Sequence, residues 1–130
     1  SRKKILFISR DNTCRSQMAG AFAELHAGKT TEIYTAGKTP GNHIDETMVK
    51  VMEEKKIDMK YRLPQPLESI VDKHTFDLIV TLGSGNSNPD YLDLEQLHWD
   101  IENPANKSIG VYRKTRDHIE EKVKSLLACF

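Results

Sequence analysis

The chain has 130 residues, 38% hydrophobic and 29% charged, which is enough for one domain spanning residues 1–130 with a real core. Nineteen Lys and Arg balance nineteen Asp and Glu, so there is no general attraction to nucleic acid or an anionic membrane, and any anion site must be local. No apolar run approaches the roughly 20 residues of a membrane helix, and two cysteines exclude a multi-bridge framework, which points to a reducing, cytoplasmic compartment.

In chain order, Ile5-Leu6-Phe7-Ile8 is a continuous apolar run of strand length, as expected of a parallel strand buried on both faces. The basic residues before it resemble the start of a signal peptide. The run ends after four residues at polar Ser9-Arg10-Asp11-Asn12, too soon for that reading. Ser16, an N-cap candidate, opens a helix with Met18, Phe22 and Leu25 at helical spacing, closing near Gly28. Ile33-Tyr34-Thr35 is a short second strand, followed by Gly37 and a Thr39-Pro40-Gly41 turn. Asp45 is expected to cap a helix that carries Met48, Val51 and Met52 inward, with Ile44 and Val49 as a hydrophobic staple. Phe76–Thr81 and Leu97-His98-Trp99 read as third and fourth strands. Tyr112, Ile119, Val123, Leu126 and Leu127 mark one face of a last helix, whose charges, Arg116 included, read as solvated.

The order β-α-β-α-β-β-α predicts an α/β fold, a four-stranded parallel sheet with helices on both faces. Ligands of such sheets bind beyond the carboxyl ends of the strands, so the loops after Ile8 and Thr81 are the places to look. The first of these is Ser9-Arg10-Asp11-Asn12-Thr13-Cys14-Arg15-Ser16. Its amides, together with the unpaired first turn of the following helix, can converge on an anion. Arg15 adds a planar, permanently charged fork suited to phosphate-like oxygens. A nucleophile six residues before that arginine would sit at the cradle floor. Cysteine there would ionise readily, but the residue is Ser9, whose hydroxyl has a high pKa and no histidine in the loop to take its proton. Such a loop should bind anions better than it attacks them.

Phe7 to Ala19 resembles the phosphate loop and first helix of the low-molecular-weight protein tyrosine phosphatase superfamily. Cys14-Arg15-Ser16-Gln17-Met18-Ala19 is most similar to the thioredoxin-coupled arsenate reductases within it. The similarity continues through Tyr34-Thr35-Ala36-Gly37, Asp77–Leu82, His98-Trp99, Asn103-Pro104-Ala105 and Arg116–Ile119. It implies a phosphotyrosine protein phosphatase I-like fold. By the resemblance, Ser9 holds the nucleophile position, Arg15 is the transition-state clamp, Asn103 holds the general-acid position, and Ser9–Ser16 bind the oxyanion. Ser16 would also hydrogen-bond the nucleophile. The implied ligands are phosphate, arsenate or a phosphotyrosine-like anion, with a protein partner conceivable and neither nucleic acid nor membrane expected.

The departures from the family pattern are as informative. An amide at Asn103 can hydrogen-bond a leaving group but cannot give it a proton. The first relay cysteine of arsenate reductases follows a Thr-Leu pair, whereas here Thr81-Leu82 leads into Gly83 and no cysteine lies in Ser84–Pro89. Some members bind potassium through an acidic residue at the position of Gly20, so no potassium site is expected. The five histidines, at 26, 43, 74, 98 and 118, show no ligand spacing, and neither metal nor cofactor is expected.

Two readings of Ser9 follow. The chain is a phosphate- or arsenate-type oxyanion-binding pseudoenzyme, or it is an active phosphomonoester phosphatase or arsenate reductase-like enzyme whose cysteine was changed to Ser9. Loss of nucleophile, acid and both relay cysteines together favours the first, since a trapping change needs only one substitution. Cys14 reads as structural, because it lies in the cradle wall rather than in line; a bridge to Cys129 is the one disulfide the composition allows. Arg10 is equally a sensor of substrate charge or a solvated side chain. Asn12 is expected in a left-handed turn. His98 and Trp99 read as a strand-end core pair.

Overall fold

The computed structural model describes residues 2–83 and 96–130. The chain folds as β1 (Lys3–Ser9), α1 (Arg15–Ala27), a single 3-10 turn, β2 (Thr31–Gly37), α2 (Glu46–Glu53), α3 (Leu67–Lys73), β3 (Leu78–Gly83), β4 (Gln96–Asp100) and α4 (Ile109–Cys129). The strands pair in parallel in the order β2-β1-β3-β4. This is the four-stranded α/β sheet expected from the sequence.

β1 is central, and its continuous apolar run has a direct cause: alternate residues feed two separate cores. Ile5 and Phe7 join Val80, Leu82 and Trp99 beneath α1, α2 and α4. Leu6 and Ile8 join Ile79, Phe76 and Leu67 on the opposite face, where α3 supplies the cover. The chain-order reading has no helix there because α3 spans only seven residues, too few for an apolar period to stand out.

Asp45 caps α2 as expected, accepting the Met48 amide at 3.0 Å, and Met48, Val51 and Met52 are buried. Three expectations need correction. Leu25 is 60% exposed, because α1 is buried from Arg15 to Ala23 by neighbours on several sides and its last turn runs past them. Ser16 is not the N-cap; Cys14 occupies that position without a side-chain cap. Arg116 is buried rather than solvated, since its guanidinium donates to the Val51 carbonyl at 2.9 Å and to Glu54 at 2.8 Å near the end of α2.

Candidate oxyanion site

The loop from Ser9 to Ser16 leaves the carboxyl end of β1 and enters α1. Its carbonyls are fastened from outside. Thr39, Gly41 and Asp45 donate their amides to the carbonyls of Arg10, Asp11 and Thr13 at 2.8, 3.0 and 2.9 Å. Gln17 Nε2 takes the Asn12 carbonyl at 3.0 Å. With the carbonyls turned outward, the amides face the other way. Of the amides from Asn12 to Ser16, Thr13 alone donates to another described residue, Asp11 Oδ1 at 3.1 Å. α1 begins with no side-chain cap and no acid in its first turn, so the positive end of its dipole is not neutralised locally.

Asn12 adopts φ 58°, the left-handed conformation expected of it. It is fully buried, and its side chain is used at both ends: Oδ1 accepts the Gln65 amide at 2.8 Å, and Nδ2 donates to Ser16 Oγ at 2.6 Å. Ser16 Oγ in turn lies 2.6 Å from Ser9 Oγ. Because Ser16 already accepts from Asn12, its own proton is free to go to Ser9. Neither arrangement of that hydroxyl pair supplies a base for the Ser9 proton.

Arg15 is 5% exposed and donates to the Ile101 carbonyl at 2.8 Å, which ties the loop to the segment after β4. Among the described residues no carboxylate pairs with it. Burial pulls its guanidinium below the ordinary arginine value, opposed by Cys14 and Asp11. Asn103 lies two residues beyond Ile101, half-buried, with Oδ1 accepting the Ala105 amide at 3.1 Å. The fold therefore brings Ser9, Asn12, Arg15 and Ser16 together and anchors the Asn103 segment through Arg15. Arg10 is exposed.

Cys14 is 3% exposed and Cys129 is exposed, and neither is bridged. Burial, reinforced by Asp45, raises the Cys14 thiol well above its ordinary value, against the smaller pull of Arg15. Trp99 packs at 6.0 Å from the Phe7 ring, and His98 Nδ1 lies 2.7 Å from Thr81 Oγ1, so this pair is built into the sheet. A Cβ on Gly20 would meet Thr35 Cγ2 at 2.4 Å. Ser84–Pro89, where a relay cysteine is missing, lies outside the described residues.

The sequence did not single out Gln17, whose Nε2 donates to the loop, Gly37, which packs against it, or Arg62, which donates to Gln17 Oε1. Gly37 is visible in the Tyr34–Gly37 match, but its purpose is spatial. Beside the loop opens a cleft of about 590 Å³, lined in part by Thr13, His43, Asp45, Ala105, Lys107 and Tyr112.

A parallel sheet with a loop and helix N-terminus at the end of its central strand, and a buried arginine at the first helix, has the arrangement of an α/β domain whose ligand site lies at the carboxyl ends of the strands. The family model for low molecular weight phosphotyrosine protein phosphatase matches residues 4–130, and the chain belongs to that family. A glutaredoxin arsenate reductase of Synechocystis is 33% identical, over 97% of both chains. The arsenate reductase structure from Archaeoglobus fulgidus superposes with a TM-score of 0.85 at 33% identity, covering 95% of this chain and 98% of that one. A solved arsenate reductase in its phosphate-binding state gives 0.83 at 30% identity, over 97% of both.

Proposed function

We propose that this chain binds phosphate- or arsenate-type oxyanions in the Ser9–Ser16 loop and does not turn them over. The observation that carries the reading is Arg15: a guanidinium 5% exposed, at an uncapped helix N-terminus, with no carboxylate partner among the described residues. A buried cation is tolerated when something offsets its lost hydration, and an anion coordinated by the loop amides does so. The phosphate-bound state of a relative with this fold supports the same reading. Catalysis would need a nucleophile and an acid. Among the described residues the Ser9 hydroxyl is hydrogen-bonded to Ser16 alone, and the Asn103 amide has no proton to give a leaving group.

Calorimetric titration with inorganic phosphate, arsenate and phosphotyrosine, beside a p-nitrophenyl phosphate assay, tests this. Saturable binding that Arg15→Ala abolishes, without turnover, is the expected result. Turnover that survives Ser9→Ala would overturn the assigned roles.

The second reading, an active enzyme whose cysteine became Ser9, is favoured by the Ser16 hydroxyl 2.6 Å from Ser9 Oγ, a placement that would also stabilise a thiolate there. A Ser9→Cys variant that hydrolyses p-nitrophenyl phosphate would show that the rest of the site supports chemistry. The cleft beside the loop is where the organic part of a phosphomonoester, or a partner's side chain, would lie.

A further inference from the structure

Behind the loop, on the other side of α1, Arg62 is buried to 11% side-chain exposure. One of its terminal nitrogens pairs with Glu24. The other, Nη1, donates to Gln17 Oε1 at 3.3 Å and stands 3.6 Å from where a Cβ on Gly20 would be. Its Nε is buried without a partner among the described residues. Gln17 is 1% exposed, and its other end, Nε2, donates to the Asn12 carbonyl at 3.0 Å, to Asn12 Oδ1 at 3.1 Å and to the Leu63 carbonyl at 3.2 Å.

A primary amide presents an acceptor at one end and donors at the other, and the two ends are nearly the same shape. If the Gln17 amide turned over, its oxygen would face the Asn12 carbonyl, Asn12 Oδ1 and the Leu63 carbonyl, three acceptors. Those three acceptors fix the orientation, and the Arg62 cation holds the oxygen that they leave facing it. The bond is charge-assisted and part-buried, and it polarises the amide so that Nε2 becomes a stronger donor. Asn12 then keeps its carbonyl out of the cradle and its left-handed turn, with Nδ2 on Ser16 and Ser16 on Ser9.

We propose that Arg62 is a positioning residue for the oxyanion loop, acting through the Gln17 amide to hold Asn12. The inference rests on the reading of the loop as an anion site and adds the residue that maintains its shape.

The test compares wild type with Arg62→Ala, Arg62→Lys, Gln17→Leu, Glu24→Gln and the Arg62→Ala/Gln17→Leu double variant. Phosphate is titrated by calorimetry, and amide exchange is followed at Gln65, whose N–H is held by Asn12 Oδ1. Arg62→Ala should weaken phosphate binding about tenfold, as loss of a part-buried charge-assisted hydrogen bond implies. Low, non-denaturing guanidinium chloride should restore it, and sodium chloride at equal ionic strength should not. Arg62→Lys should retain part of the affinity, and Glu24→Gln should stay within about twofold of wild type, since its partner bond is not in the chain to Asn12. Gln17→Leu should match Arg62→Ala without rescue, and the double variant should be no worse than Gln17→Leu.

Wild-type affinity in a folded Arg62→Ala variant overturns the proposal. So does additive loss in the double variant, or Glu24→Gln reproducing the deficit while Gln17→Leu does not. If Arg62→Ala fails to fold, Arg62→Lys and Gln17→Leu carry the test: an unaltered affinity in Gln17→Leu overturns the proposal. Gln65 protection reads the loop with no anion present. Its loss in Arg62→Ala alongside a wild type that binds no phosphate would overturn the anion reading and leave the positioning role standing. Unchanged Gln65 protection would overturn the positioning role whatever the wild type binds.

Discussion

Gly37, the last residue of β2, lies against Asn12 so closely that a Cβ on it would stand 2.8 Å from the Asn12 nitrogen, 2.9 Å from the Asn12 Cβ and 2.7 Å from the Asp11 carbonyl carbon. The requirement for glycine is this approach of two backbones, not an unusual dihedral. Its amide donates to the Gln65 carbonyl at 2.8 Å, so the strand end is fixed and the loop would have to move. Gly37→Ala should destabilise the chain by about 1–3 kcal/mol, as overpacking does, and should weaken phosphate binding while the sheet persists. Thermal unfolding followed by circular dichroism, with calorimetry on the folded protein, checks both. Unchanged melting and affinity would show that the loop yields freely.

The two thiols should differ sharply. Cys14 is buried and its thiol is held protonated by that burial, whereas Cys129 is exposed near the end of α4. A disulfide-exchange reagent at pH 8 should titrate one thiol in the native chain and two after denaturation, of the two that the sequence contains. Two fast thiols in the native protein would mean that the cradle wall opens readily.

Glu54 should shape the acid limb of stability. Hydrogen bonds from Arg113 and Arg116 lower its carboxyl from the usual range to about 2. A carboxylate depressed in the folded state contributes stability above its unfolded pKa and loses it as pH falls from about 4.5 toward 2. Glu54→Gln should lower stability near neutrality and flatten the loss across that window, read from urea midpoints at successive pH values. An unchanged acid slope would assign acid unfolding to other carboxylates.

Tyr112 joins α4 to Asp45, whose amide holds the Ser9–Ser16 loop at Thr13. Its hydroxyl donates to Asp45 Oδ2 at 2.6 Å, while Asp45 Oδ1 caps α2 and its amide holds the Thr13 carbonyl. Burial first, then the hydrogen bond and charge of Asp45, raise the Tyr112 hydroxyl above its ordinary value near 10. Tyr112→Phe should cost about 1.5–3 kcal/mol at neutral pH, the range for one hydrogen bond to a charged acceptor. A raised folded pKa means that this stability is complete below about pH 10 and is lost as pH climbs beyond it. The alkaline decline of Tyr112→Phe should therefore be shallower than that of the wild type.

Much of the fold was legible because its signals are local. Ile5 to Ile8 is apolar without a break, which suits a strand feeding two cores, and Asp45 before Met48 and Val51 is a complete helix start. Leu25 and Arg116 misled for a common reason. Residue type states a preference for burial, but exposure depends on where neighbouring elements end. α1 outruns its cover, whereas the end of α2 offers Arg116 a carbonyl and a carboxylate.

The oxyanion loop shows the same division. Its chemistry was present in the order of residues: Arg15 at the helix start, Asn12 at a turn that favours φ above zero, and Ser9 where a thiol would be needed. The sequence by itself determined the family and the parallel sheet, and it pointed to the Ser9–Ser16 loop as the candidate site, because each rests on short-range spacing. Only the tertiary structure decided what holds that loop in shape. Gly37 from β2, Gln65 from the segment after α2 and Ile101 after β4 meet it from distant parts of the chain. Hydrogen bonds and close approaches between such segments depend on three-dimensional distance, which no pattern along one stretch of sequence encodes.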